Sequence, residues 1–187
     1  MSQQEIKTPA LVLSTLPYED HKLIAHLYTR ELGRLSFIVS GPKRRRYFQR
    51  GALLNIRFYY KPQRDVQRLI EVDWLTLYEN LHHEVALMPY LLLMLEVLNQ
   101  ILVAPDEALF DFIGEGFLTL DKSRDPEVAL KSFLTQLIGR MGGESASSPM
   151  NWSQIEDHLS ALIPNWRPLK TLSIISNLSL PLYDRQP

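Results

Sequence analysis

The sequence contains no cysteine, and this absence removes three kinds of chemistry. Disulfide bonds, thiolate zinc sites and cysteine nucleophiles all require the missing thiol. A chain without disulfides fits a reducing compartment, so we expect a cytoplasmic protein. Whatever stabilises the fold must come from packing and hydrogen bonding.

Long apolar runs are also missing. The longest, around Leu91 to Leu95, is interrupted by Glu96 and Asn99 and is too short and too polar to span a bilayer. The N-terminus shows no basic region followed by an apolar core, so we expect no signal peptide and no membrane partner. Apolar residues make up 45% and charged residues 22% of the chain, values typical of a globular protein rather than a disordered one.

Catalytic signatures are absent as well. No His-Glu-x-x-His, phosphate-loop or Gly-x-Ser-x-Gly pattern occurs. His82 and His83 are adjacent, and adjacent residues point in different directions on a helix, which makes a poor joint metal site. Paired carboxylates such as Glu156 and Asp157 are explained by their places at helix starts or on exposed faces. We therefore expect no enzyme activity, no cofactor and no metal.

Charge is present but unevenly distributed. Residues 1–70 carry 13 Lys and Arg against 5 Asp and Glu, a balance of +8, whereas residues 71–187 carry 7 against 16, a balance of −9. Such a split predicts a basic module followed by an acidic one. A basic module attracts polyanions through contacts that release counterions and weaken with salt.

Alternating apolar residues predict five strands in the first 77 residues, at 10–15, 21–29, 34–40, 52–60 and 66–77. The second segment also suits a helix, and we interpret it as a strand. Five strands without a long helix between them predict a small closed or nearly closed barrel of the oligonucleotide-binding (OB) type. Its face bearing Arg57 and Tyr59 is the predicted nucleic-acid face.

The pattern changes to a helical period near residue 79. Residues 80–102 form one helix or two, because Pro89 either kinks the helix or begins a second one. Further helices are predicted at 107–120, 126–141 and 152–163, capped by Asp106, Asp125 and Ser153, with a short one at 169–178 and a loosely held end at 180–187. The expected fold class is α+β: an OB-like five-stranded barrel at 1–78, then an all-α protein-interaction domain at 79–187.

The most concentrated charge lies between Gly41 and Gly51, which we call the basic segment. It reads Gly-Pro-Lys-Arg-Arg-Arg-Tyr-Phe-Gln-Arg-Gly, and we interpret it as a mobile loop. Guanidinium groups bind phosphate oxygens in forked pairs, and aromatic rings stack on unpaired bases. The alternatives are a solvated loop that binds nothing, and an aromatic residue that packs back on the sheet. The candidate nucleic-acid-binding residues are Arg34, Lys43, Arg44, Arg45, Arg46, Tyr47, Phe48, Arg50, Arg57 and Lys61.

Several motifs, in this order, resemble the RecO family of bacterial recombination mediators. They are Ala10-Leu-Val-Leu-Ser-Thr-Leu-Pro-Tyr-Glu-Asp-His-Lys-Leu, Leu27-Tyr-Thr-Arg-Glu-Leu-Gly-Arg-Leu-Ser, Val39-Ser-Gly-Pro-Lys-Arg, Gly51-Ala-Leu-Leu, the helix from Phe133 to Gly142, and Arg167-Pro-Leu-Lys. Ser40 stands where the family usually has lysine. Many members also insert a region with four zinc-binding cysteines, whereas here residues 143–151 occupy that place, so no metal is carried over.

The resemblance implies a function and partners. Family members bind single- and double-stranded DNA, anneal strands coated by single-strand-binding protein, and with RecR help to load the recombinase RecA, which places them at the nucleoid. The helical half receives the acidic, apolar-ended tail of single-strand-binding protein, and Lys131, Phe133, Arg140 and Met141 are the candidate residues for it. Lys131 and Arg140 equally suit two ordinary surface cations. The alternative functions are an RNA-binding OB-fold protein and a non-enzymatic adaptor.

Overall fold

The computed structural model describes residues 4–143 and 148–178 of the chain. Five strands form in the first part: β1 (Gln4–Tyr18), β2 (Lys22–Thr29), β3 (Gly33–Ser40), β4 (Leu53–Tyr60) and β5 (Val66–Trp74). The helices are α1 (Pro42–Arg45), a 3₁₀ turn (Val85–Leu87), α2 (Met88–Ile101), α3 (Glu107–Lys122), α4 (Pro126–Arg140), α5 (Trp152–Leu162) and α6 (Leu172–Leu178). Residues 180–187, predicted to be loosely held, lie outside the described residues.

The five strands form one sheet whose pairings close into a ring in the order β1-β2-β3-β5-β4. The long β1 makes the closure, because Ala10 to Tyr18 pair with β2 while Gln4 to Leu11 pair with β4. All pairs are antiparallel except β3 with β5, which run parallel. The predicted fold class, a five-stranded OB-like sheet followed by helices, is confirmed.

The side chains inside the ring are the alternate apolar residues of the strands. Phe37 and Phe58 meet edge to face with their ring centroids 4.9 Å apart, and both are fully buried. Burying a large apolar side chain stabilises a fold by about 1.5–3 kcal/mol. This interior fixes which residues of each strand point outward, and therefore which ones are available to bind a partner.

The helix starts follow the predicted caps with one exception. Asp106 accepts from the amide of Leu109 at 2.9 Å, and Asp125 caps α4 with Pro126 in its first turn. At α5 the cap is Asn151 rather than Ser153, because Gln154 bonds back to the Asn151 amide and completes a capping box. Pro89 lies in the first turn of α2, so it begins that helix rather than kinking it.

Three apolar residues that fitted the helical period are not buried. Val85 is 85% exposed and lies in the 3₁₀ turn before α2, and Met88 at the start of α2 is partly exposed. Val128, in the first turn of α4, is 54% exposed. Among the described residues, no helix combines the length and apolar character needed to cross a membrane.

The chain divides into two compact units. The first contains residues 1–78 together with 102–115, and the second contains residues 79–101 and 116–187. The boundary therefore falls within α3, after Glu115. The first unit carries 13 Lys and Arg against 11 Asp and Glu, so the surplus of charge seen along the sequence is much smaller in the folded unit. The division into domains at residue 78 stays a prediction.

Within the first unit, the start of α3 packs on the sheet. Tyr28 donates to the carbonyl of Ala104 at 3.0 Å and stacks on Phe110. Arg30 forms ion pairs with Glu107 and Asp111. The acidic residues of this segment are thus matched to an arginine at the β2–β3 turn, away from the basic segment in sequence.

Within the second unit, Asp121 holds the chain that leads into α2. Its carboxylate is 2% exposed and accepts from the amides of Glu79, Asn80 and Leu81 at 3.1, 2.8 and 2.7 Å. Burial raises the pKa of Asp121, but the hydrogen bonds from the three amides together lower the pKa by more than burial raises it. The net shift of the pKa is therefore downward. The buried carboxylate is therefore ionised at neutral pH and satisfied by hydrogen bonds.

Candidate nucleic-acid interface

The basic segment is folded onto the sheet. Gly41 adopts φ +86°, a conformation that glycine accepts without strain, and its amide reaches the carbonyl of His21 at 3.3 Å. Pro42 then starts the single turn α1. At the far end, the Gly51 amide donates to the carbonyl of Val12 at 2.8 Å. Both ends are tied to strands, and a helical turn stands where the sequence predicted a loop, while the mobility of the segment stays a prediction.

The two aromatic residues of the segment point inward. Phe48 is 4% exposed and belongs to the core of the sheet. Tyr47 packs against Trp74 with ring centroids 5.0 Å apart. The interpretation of Phe48 as a base-stacking residue is therefore wrong in this conformation, because its ring is enclosed by the core, and Tyr47 presents only a partly buried ring. The aromatic pair serves as an anchor.

The cations of the segment point outward, and Lys43, Arg44, Arg45, Arg46 and Arg50 are all exposed. The guanidinium of Arg46 lies 5.0 Å from the centre of the Tyr47 ring and donates to its hydroxyl at 3.2 Å. Arg44 donates to the carbonyl of Ile70 at 3.0 Å. Inward aromatics and outward cations make the segment a charged surface held in a defined place.

Arg57 is engaged by carboxylates. It lies on β4 between Glu5 and Glu71, with ion pairs of 2.9 and 3.0 Å. The hydrogen bond to Glu5, followed by that to Glu71, raises the pKa of Arg57. Its charge is already compensated, so the face of β4 that carries Arg57 and the exposed Tyr59 is a poorer phosphate surface than its sequence indicates.

The other two predicted contacts occupy different ends of the sheet. Arg34 is the second residue of β3, and its amide donates to the carbonyl of Val103 at 3.0 Å. Lys61 lies in the β4–β5 turn, which the buried side chain of Gln67 fastens by bonds to Lys61 and Arg64. Both residues are partly exposed.

The sequence pattern missed a second surface, which we call the outer sheet face. Strand pairing places Leu16, Ile24, Ile38 and Arg68 in one row across β1, β2, β3 and β5. The next row contains Tyr18, Lys22 and Ser40, the residue just before the basic segment. Leu16 and Tyr18 are 54% and 43% exposed. An apolar surface flanked by cations suits unpaired bases and their phosphates.

Strand parity was the signal that would have found this face. Gln67 and Leu69 are buried, so the intervening Arg68 must point outward. Lys22 is partly compensated, since Glu19 pairs with it at 2.6 Å. Further along the same face, His26 bonds to the Ser36 hydroxyl at 2.8 Å, and burial, followed by the charge of Arg34, lowers its pKa. His26 therefore adds no positive charge at neutral pH.

The residues predicted to bind a partner tail are not equivalent. Lys131 pairs with Glu127 at 2.5 Å and lies 5.0 Å from the centre of the Trp152 ring, whose Nε1 also donates to Glu127 at 3.1 Å. Phe133 is 6% exposed and packs beside Gly116. Arg140 is exposed at the end of α4, and Met141 follows it partly buried. Of these four residues, Arg140 is the exposed one.

The closed order of five strands, with a helical turn between β3 and β4, defines the class as an OB-type sheet joined to helices. Residues 1–78 match the family model described as the N-terminal domain of recombination protein O. The chain is 31% identical over 136 residues to a protein of Exiguobacterium sibiricum named DNA repair protein RecO, covering 70% of this chain and 54% of that one.

Two further relatives carry the same name. The protein of Flavobacterium psychrophilum is 28% identical over 126 residues, covering 63% of this chain and 53% of its own length. The protein of Chlorobium luteolum is 46% identical over 67 residues, which cover 33% of this chain and 25% of that protein. The chain belongs to the RecO family. The matches span about half the length of these relatives or less.

Proposed function

We propose that this chain is a non-enzymatic DNA repair protein that binds single- and double-stranded DNA and promotes the annealing of complementary strands. The observation that carries the proposal is the basic segment, whose cations all face solvent while its aromatic residues fix it to the sheet. Annealing breaks no covalent bond. It requires a surface that neutralises phosphates of any sequence, so that base pairing takes over.

The proposed path of a single strand crosses the outer sheet face and ends on the basic segment. Tyr18 and the aliphatic row provide a surface for bases, and Arg68 provides a cation in the same row. Stacking of this kind is tolerant of sequence, because every base has a flat apolar face. Duplex DNA lacks exposed base faces and would be held through its phosphates by the basic segment.

Reversal of three charges tests the proposed site. Replacing Arg44, Arg45 and Arg46 together by Glu is expected to weaken binding of a labelled single-stranded oligonucleotide by about a hundredfold at low salt, since phosphate contacts dominate affinity. Fluorescence anisotropy measures the affinity. The matched control replaces the exposed Lys122, Arg124 and Arg167 by Glu, which changes net charge equally. Equal losses in both variants, or no loss in either, would reject the site.

The same assay separates DNA from RNA. An RNA oligonucleotide of the same sequence serves as the second ligand. We expect binding of both, with no stronger binding of RNA, because the proposed contacts are to phosphates and base faces, which DNA and RNA share. A clear preference for RNA, together with absence of annealing, would replace the proposal by an RNA-binding function.

We further propose that the helical part acts in recombinational repair by meeting protein partners: the tail of single-strand-binding protein and RecR, in support of recombinase loading. For the tail, Arg140 and Met141 are favoured over Lys131 and Phe133. An acidic peptide end needs an accessible cation beside an apolar side chain. Arg140 is exposed at the end of α4, next to Met141, whereas Lys131 is partly buried and bonds Glu127. A tail peptide would have to displace that carboxylate first.

The tail proposal predicts different outcomes for two single substitutions. Arg140→Ala is expected to weaken binding of an acidic peptide with a Phe at its carboxyl end by about tenfold, which is a typical loss for a charge-assisted pair. Lys131→Ala is expected to change it little. Isothermal titration with the same peptide measures both. The reverse order of effects would move the site to the Glu127–Trp152 cluster.

A further inference from the structure

The cations of the basic segment have different surroundings, because Arg44 bonds to the backbone of Ile70 whereas Lys43 and Arg45 do not. Between β4 and β5 the pairing passes from Arg57 with Glu71 to Phe58 with Leu69, so Ile70 is the extra residue of a β-bulge. A bulge leaves its extra residue out of the ladder. The guanidinium of Arg44 donates to the Ile70 carbonyl at 3.0 Å. An arginine of the segment thus fastens α1 to an irregular point of the neighbouring strand.

Lys43 and Arg45 differ from Arg44 in this respect. Both are exposed on α1, and in the described part of the chain neither side chain forms a hydrogen bond or an ion pair. A phosphate group that reaches them has no competing partner to displace. For Arg44, by contrast, contact with phosphate would mean sharing or giving up the bond to Ile70.

We infer that Arg44 is a positioning residue, which docks the basic segment on the bulge of β5, while Lys43 and Arg45 make the phosphate contacts. The part given to Lys43 and Arg45 rests on the proposed function, whereas the anchor does not. The three consecutive cations of α1 therefore have two different roles. Arg44 holds the helical turn against β5, and Lys43 and Arg45 contact phosphate.

The anchor can be measured without any nucleic acid. Amide hydrogen exchange of the free chain, followed by mass spectrometry on peptides covering residues 41–52, reports the opening of α1. Arg44→Gln is expected to speed exchange there by about threefold to tenfold, the range for losing one exposed hydrogen bond. Arg45→Gln removes the same charge from the adjacent residue and is expected to leave exchange unchanged. Equal exchange in the two variants would overturn the anchor.

The contacts are measured with a single-stranded oligonucleotide over a range of salt concentrations. Arg45→Gln and Lys43→Gln are each expected to reduce the slope of log affinity against log salt by about 0.7, the value for one phosphate contact on a single strand. Arg44→Lys restores the charge but not the planar fork, so it is expected to keep the fast exchange of Arg44→Gln. Wild-type slope in both Lys43→Gln and Arg45→Gln would overturn their assignment.

The two measurements separate the possible failures. Faster exchange in Arg44→Gln combined with no oligonucleotide binding by the wild-type chain would reject the proposed function and the role of Lys43 and Arg45, while establishing the anchor. Unchanged exchange combined with a slope reduced in Arg44→Gln as much as in Arg45→Gln would show that Arg44 is a contact like its neighbours. Each result therefore decides one part of the inference.

Discussion

The ion pairs that a cation forms within the protein determine how well it can bind a phosphate. Arg57, Lys131 and Arg30 are each paired with carboxylates, whereas Lys43 and Arg45 have no carboxylate partner within residues 4–143 and 148–178. A cation that pairs with carboxylate in the free protein gains little from meeting a phosphate, because the new bond replaces an old one. The number of cations in a sequence therefore overstates the number that bind.

Asp121 shows the same principle with the sign of charge reversed, and it yields a stability prediction. Asp121→Asn keeps the size of the side chain but presents an amide group to one of the three backbone N–H donors. We expect a loss of about 2 kcal/mol in the free energy of unfolding at neutral pH, the value for a buried donor left unsatisfied. Urea unfolding followed by circular dichroism measures it.

The pH dependence of that loss follows from the lowered pKa of Asp121. A carboxyl whose pKa is depressed in the folded state stabilises the fold above its unfolded pKa, about 4, and this contribution disappears as pH falls below it. The difference between wild type and Asp121→Asn should therefore shrink below about pH 4. Asp157→Asn, at an exposed position, is the matched control. Equal stability of all three proteins at pH 7 would contradict the role of Asp121.

At the scale of elements, periodicity was a reliable guide wherever one face of a strand or helix is buried. The alternation of Leu35, Phe37 and Val39 identified β3, and Asp125 followed by Pro126 marked the start of α4. These signals are local, since they depend on the backbone geometry of a few neighbouring residues. For the same reason the second segment was correctly interpreted as a strand.

Local signals failed where a contact comes from far along the chain. Nothing around Phe48 reveals that it enters the core, because a charged neighbourhood is typical of exposed residues. Similarly, the acidic start of α3 pairs with Arg30 at the β2–β3 turn. The candidate site stays a prediction as a segment, and the burial of Phe48 inside it was not predictable residue by residue. Its cations were predictable from composition, while its anchors and the outer sheet face required the pairing of the strands.

At the scale of the whole molecule, a net charge of −1 conceals a local cationic surface. The sheet unit, with 13 basic and 11 acidic residues, is close to neutral. Attraction of a polyanion must then come from the arrangement of charges rather than from their total. A field of this kind reaches only about 8–10 Å at physiological ionic strength. Binding should accordingly be confined to the basic segment and the sheet face beside it.

Because of this confinement, we expect the proposed annealing activity to respond to salt in a characteristic direction. Without protein, added salt speeds the pairing of complementary strands, because it screens the repulsion between their phosphates. With this protein, we expect added salt to slow the accelerated reaction, because it weakens the contacts that bring the strands together. The initial annealing rate of fluorescently labelled strands coated with single-strand-binding protein, measured between 50 and 200 mM salt, distinguishes the two trends.

The variants given above sharpen the measurement. Arg45→Gln should anneal more slowly than wild type at low salt and approach the wild-type rate as salt rises, since a weakened phosphate contact matters less once all such contacts are screened. The Lys122, Arg124 and Arg167 triple Glu variant should match wild type throughout. An acceleration that grows with salt in parallel with the protein-free reaction would mean that the protein does not act by gathering phosphates. The cationic surface would then have no part in bringing strands together.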